Sequence, residues 1–529
     1  RGGGAAVRWA TNRLVAVDFE PRPSTLQIMR LRCGSKLLAI ASTAFAAVAS
    51  PPIELATLAP SEGSPGDESG RAVAAAGPWI LVGAPGTNTN GEIDRGAAWV
   101  YRRVGEQPWE LVASLIDPSG EAGDDFGLSV AIDDPSLRGE SGEPVAIVGA
   151  LHDDLGAKTD AGSASIFRFV EGAWIFEQTI VASDGLADDE FGRSVAIRGD
   201  LAMVGAWDAG LFDQGAVYVY RRDPAGVWQQ TQKLVAPGAS TGDHLGTALD
   251  LDASGERAIA GAWGDDAGAS NGGSAVVWRR AKNGAFVFEQ ELVGSNLAPG
   301  DELGRGVAID GDLAVVGGWS FFGDGRGTAR VFRRSGELWS EEAALEAPDG
   351  AVDDYFGFSV ACRRSAAADG EGDLIACGAW ADDVAGVTNQ GSVWLFERVG
   401  VGKGVLGWEP IAQLVAPDGA ASDYFGFSLA FECELLAVGV RLDDVDGAIN
   451  AGSARVWWIA DDDRDGIPND CGDSGARDPA DLDGDGIVGA ADLALLLGQW
   501  GGSGSGDLDG DGTVGAGDLA TLLAAWSGG

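Results

Sequence analysis

The chain has 529 residues and a formal net charge of −44, long enough for more than one domain and too acidic to suit nucleic acid or anionic lipid, both of which need basic clusters. Glycine is abundant at 83 residues, so short strands joined by tight turns are expected rather than long helices. With two histidines, His152 and His244, the chain offers little imidazole for acid–base chemistry.

In chain order, residues 1–28 read as a non-native upstream extension. Residues 29–49 read as an export signal: a basic stretch opens with Met29-Arg30-Leu31-Arg32 and ends at Lys36, residues 37–49 are apolar and small, and Ala47-Val48-Ala49 suits cleavage. That core is short for a bilayer, and no other segment predicts a membrane span. The mature protein is therefore expected outside the cell or on its surface. Removal of the signal takes Cys33 and leaves Cys362, Cys377, Cys433 and Cys471, none with paired metal-ligand spacing. Cys362 and Cys377 flank one predicted hairpin, either as a disulfide or as two small buried thiols.

Internal repetition dominates residues 53–460. Asp353-Asp354-Tyr355-Phe356-Gly357-Phe358-Ser359-Val360-Ala361 returns as Ser422-Asp423-Tyr424-Phe425-Gly426-Phe427-Ser428-Leu429-Ala430, and again around Phe191-Gly192 and Phe126-Gly127. Weaker copies at Leu245-Gly246, Leu303-Gly304 and Ser69-Gly70 bring the total to seven units. In the third, short apolar runs at 194–197, 201–206, 216–220 and 228–235 are separated by turn signals such as Gly199-Asp200. Such a unit has two apolar faces and is unstable alone; seven in a ring bury those faces against each other. The seventh unit lacks its fourth run, and an orphan run at 53–58 precedes the first. The expectation is a mainly β, seven-bladed propeller of four-stranded antiparallel blades, closed by that orphan strand.

The units resemble FG-GAP repeats, the building block of the integrin α-subunit propeller. The resemblance implies a binding fold. Calcium-binding members carry an Asp-x-Asp-x-Asp-Gly loop between the first two strands, whereas here that link is short, as in Arg198-Gly199-Asp200 and Asp310-Gly311-Asp312. Arg198-Gly199-Asp200 spells an adhesion tripeptide but sits where a hairpin turn wants Gly-Asp.

The links into the first strand and from second to third strand share one face, and both are acidic. Trp207, Trp263, Trp319 and Trp380 stand at the base of the second link in four consecutive blades. They are either a partial aromatic ring for a sugar or peptide, or packing between blades. The Asp pairs beside them, Asp153-Asp154, Asp265-Asp266, Asp382-Asp383 and Asp443-Asp444, are either ligand-facing or turn-capping.

Residues 461–480 form an Asp-rich linker. Two loops follow within 481–526. Asp481, Asp483, Asp485 and Asp492 occupy loop positions one, three, five and twelve, with Ile487 offering a backbone carbonyl; Asp507, Asp509, Asp511, Thr513 and Asp518 repeat the set 26 residues later. This is the EF-hand spacing, which wraps hard oxygen donors around one Ca2+. Each loop leads into an apolar stripe, Leu493, Leu496, Leu497 and Trp500, then Leu519, Leu522, Leu523 and Trp526. The tandem resembles a dockerin module, which implies a cohesin-like or cell-surface protein partner. No nucleophile elbow, zinc motif or phosphate loop is found. The expected function is a secreted, non-catalytic binding scaffold with a calcium-loaded tail; a lectin-like, glycan-binding propeller or a polysaccharide-active enzyme delivered by its tail are the alternatives.

Overall fold

A computed structural model describes residues 52–459, apart from 61–62, 90, 105–106, 211, 321–324, 366–369 and 403–404. It also describes strands Val17–Asp18, Gln27–Cys33 and Lys36–Ser42, which pair as one small antiparallel sheet, and helical pieces within 493–500 and 514–524. Six four-stranded sheets follow the chain order strand by strand, as in blade 3 with Phe191–Arg198, Leu201–Ala206, Ala216–Arg222 and Trp228–Leu234. The seventh joins Phe425–Glu432, Leu435–Val440 and Ser453–Trp458 to Ile53–Leu58, so the orphan strand completes the last blade.

Burial explains why the strand patterns differ. Second strands such as Leu201–Ala206 and Leu374–Ala379 are buried at every residue because neighbouring blades cover both faces. Outer strands such as Trp228–Leu234 largely alternate, one face inward and one to solvent. The core accordingly lies between blades: Ile147 and Ile166 of blade 2 pack with Phe191, Val204 and Tyr218 of blade 3. The closing seam is equivalent, with Leu58 and Val456 against Val73, Ile80 and Val82 of blade 1.

The repeat's small residues set the blade spacing. Phe126, Phe191, Phe356 and Phe425 are buried wedges. The serine that follows each donates its hydroxyl to the glycine carbonyl of the next blade: Ser129 to Gly192 at 2.7 Å, Ser194 to Gly246 at 2.7 Å, Ser359 to Gly426 at 2.6 Å, and, across the closure, Ser428 to Gly70 at 2.9 Å. That carbonyl lies so near the second strand that a Cβ on Gly439 would stand 2.0 Å from the Gly70 oxygen. Only glycine permits the approach.

Cys362 and Cys377 are both free thiols; Cys377 lies opposite Val360 and Cys362 opposite Ile375, a diagonal pair that leaves them unbridged. Cys433 is disulfide-bonded. Among the described residues no helix is long and apolar enough to cross a membrane.

Candidate functional site

The two acidic links do share a face, and most of their carboxylates are engaged in holding the loops. In every blade one aspartate of the entry link accepts the N–H of the residue three positions earlier: Asp67, Asp124, Asp189, Asp243, Asp301, Asp354 and Asp423, at 2.5–2.8 Å. Burial pushes the carboxyls of Asp67, Asp189, Asp354 and Asp423 above their ordinary range and Asp124 to about 6, against the opposing pull of the N–H donor.

The Asp pairs of the second link cap their own turns. The second member accepts a backbone N–H five or six residues on, as Asp154 does from Asp160 and Asp383 from Asn389. The first takes a serine hydroxyl of the third strand: Asp265 from Ser274 at 2.6 Å, Asp382 from Ser392 and Asp443 from Ser453 at 2.5 Å. Among the described residues, no group of three or more His, Cys, Asp or Glu side chains is disposed to hold a metal ion.

All four predicted tryptophans reach this face and are half-buried. Each contacts the entry segment of the next blade. Trp207 meets His244 at 5.4 Å between ring centroids, and His244 stacks on Trp263 at 4.5 Å. Arg305 lies over Trp263 at 3.8 Å and over Trp319 at 4.7 Å. Tyr355 stacks on Trp380 at 5.1 Å, and Tyr424 meets the same indole edge-on at 4.8 Å. The result is a continuous arc from blade 3 to blade 7 in which indole faces are already covered. Trp207 donates its Nε1–H to Glu190 at 2.5 Å, and Trp319 donates to the buried Glu302.

Two rings were not singled out by sequence reasoning. The residue before each Phe-Gly, Leu-Gly or Ser-Gly pair has a positive φ: Glu68, Asp125, Glu190, His244, Glu302, Tyr355 and Tyr424, at 51–61°. Side chains of this ring reach the second link either of their own blade, as Glu190 reaches Trp207, or of the preceding one, as His244 reaches Asp208. The residue after each pair is Arg71, Leu128, Arg193, Thr247, Arg305, Phe358 or Phe427. The signal was available as a column of the repeat, but its residue types vary from blade to blade and so do not stand out as repetition.

Comparison with protein-family models finds the FG-GAP repeat seven times, over residues 53–101, 109–167, 174–220, 228–278, 286–332, 339–396 and 408–457. The chain belongs to the FG-GAP repeat family. Each FG-GAP match starts on the outer strand of one blade and runs into the next, so Ile53–Leu58 belongs to the first repeat by sequence and to the seventh blade by structure. No curated protein matches the chain. FG-GAP propellers are typically binding rather than catalytic folds. The tripeptide Arg198-Gly199-Asp200 is a hairpin turn at the far end of its inner strand, where Arg198 pairs with Asp133 at 3.4 Å and Gly199 donates its N–H to the same carboxylate at 2.7 Å.

Of the proposed calcium ligands, Asp481, Asp483, Asp485, Ile487, Asp492, Asp507, Asp509, Asp511 and Thr513 lie outside the described residues. Asp518 is buried in the first turn of helix Ala516–Ala524 and accepts the Gly515 N–H at 2.6 Å. Leu496, Val514 and Leu522 form a small buried cluster with Leu493 and Leu519 against it, while Leu497, Trp500 and Leu523 are exposed.

Proposed function

We propose that this protein is a secreted or cell-surface, non-catalytic binding scaffold, in which the FG-GAP ring presents a ligand face and the C-terminal module binds Ca2+ and docks to a protein partner. The observation that carries the scaffold reading is the use of the face's carboxylates: blade after blade they brace loops, whereas catalysis needs a local constellation that breaks such repetition. Export rests on the basic and apolar segment at 29–49. Calcium rests on the donor set: four carboxylates and one backbone carbonyl per loop make the all-oxygen set a hard cation takes. A module so small has little core, so ion binding and packing of Leu496 on Leu522 are expected to form together. A cohesin-like or cell-surface receptor would then recognise the folded tail.

Calcium titration of the full chain by calorimetry tests the reading. Saturable binding is expected, with one loop's share lost in Asp485→Ala and the other's in Asp511→Ala; unchanged binding in the double variant would remove calcium from the tail. The sugar-binding alternative draws on the half-buried tryptophans. Their faces already carry His244, Arg305 and Tyr355, which favours their role as packing between blades.

A further inference from the structure

In a chain of charge −44, positive side chains gather at one place on the ligand face. Arg71, Arg193 and Arg305 occupy the same register position, directly after the glycine of the repeat; Arg193 and Arg305 lie on the innermost strands of blades 3 and 5, and Arg71 immediately precedes that of blade 1. Blades 2 and 4 separate them along the ring. Even so, the first strand of each blade is the innermost, so residues at this register position all border the axis of the ring, and the charge of Arg193 is felt at both Arg71 and Arg305. Aromatic rings fix their positions: Phe427 under Arg71 at 4.8 Å, Trp207 under Arg193 at 4.9 Å, and Trp263 and Trp319 on Arg305. All three side chains are enclosed by the ring yet keep solvent-accessible surface.

The carboxylates around them are committed elsewhere. Glu68 holds Arg441 through two hydrogen bonds of 2.9 and 3.0 Å, Asp125 holds His152 at 3.0 Å, Glu190 accepts from Trp207, and Asp208 holds His244 at 2.7 Å. Only Arg305 has an acid of its own, Glu302 at 3.1 Å. The guanidiniums of Arg71 and Arg193 have no hydrogen bond or ion pair with any described residue. Burial and mutual repulsion push Arg71 down to about 9 and Arg305 to about 10, and burial lowers Arg193 as well. Such a cluster, with planar donors unpaired and carboxylates turned away, is complementary to a ligand that brings its own negative charge.

We propose that Arg71, Arg193 and Arg305 form an axial binding site for a small multivalent oxyanion, a di- or tricarboxylate or an inorganic sulfate or phosphate. Arg71 and Arg193 supply free bidentate forks, and Arg305, anchored by Glu302, closes the third side. The site is independent of calcium and of the tail.

Calorimetric titration of the full chain with citrate, sulfate and phosphate, each against chloride at matched ionic strength, tests it and separates organic from inorganic oxyanions. Saturable binding of at least one probe is expected, at least tenfold weaker in Arg71→Gln and in Arg193→Gln and unchanged in Arg279→Gln, an exposed arginine on a third strand. Should a Gln variant fail to fold, Arg193→Lys keeps the charge without the fork and is expected to bind at least threefold more weakly. Absence of saturable binding by all three probes, or equal affinity in the axial variants, would overturn the proposal.

Discussion

Glu291, on the outer strand of blade 4, shows how one side chain couples the fold to pH. Its neighbour Ser274 donates to Asp265 at 2.6 Å and to Glu291 at 3.3 Å, so two carboxyls crowd one hydroxyl. Burial first, and then Asp265, push Glu291 up to about 7 from an ordinary 4.5. A carboxyl raised on folding binds its proton more tightly in the folded chain. Its stabilising effect is complete below about pH 4.5 and is lost as pH rises through about 7. In blade 6 the corresponding residue is Gln413, which donates to Asp382 at 3.1 Å without that loss. Glu291→Gln is therefore expected to stabilise the ring by about 1–2 kcal/mol at pH 8, after allowing for solvent screening, and by almost nothing at pH 4. Denaturant unfolding at the two pH values reads this directly; an equal effect at both would show that the pair carries no proton.

At the scale of strands and loops, the closing seam is the element on which the ring depends. Ile53–Leu58 pairs with Ser453–Trp458, Glu54 holds Arg455 at 3.0 Å, and Ser69 bridges Gly452. Gly439→Ala would set a methyl into the Gly70 carbonyl and force this seam apart. We expect a loss of about 3 kcal/mol, measured by chemical denaturation, with earlier proteolysis near the seam. A loss below 1 kcal/mol would mean that the blades can slide to make room. The seam was legible in sequence because blade 7 lacks a strand and residues 53–58 have none to pair with. The seven Phe-Gly, Leu-Gly or Ser-Gly positions and the four-strand rhythm were legible for the same reason: period and turn chemistry are local. What the tryptophans would touch was not. Trp207 and Trp263 are both claimed by His244, a residue of one of the three weaker repeats, and no spacing within one unit reveals a contact made across two. The axial arginines were hidden similarly, because Arg71, Arg193 and Arg305 alternate with Leu128, Thr247 and aromatic residues.

The whole molecule combines an acidic composition with a self-braced ring and a tail whose aspartate pattern recurs 26 residues apart. Since the ring's loops are closed by hydrogen bonds that their own aspartates accept, calcium is expected to act on the tail alone. Differential scanning calorimetry of the full chain, in calcium and after chelation, tests this division most directly. A high-temperature transition of the propeller, unmoved by chelation, is expected together with a separate, smaller transition that disappears with it. A propeller transition that falls by several degrees on removing calcium, with no smaller transition to lose, would contradict it.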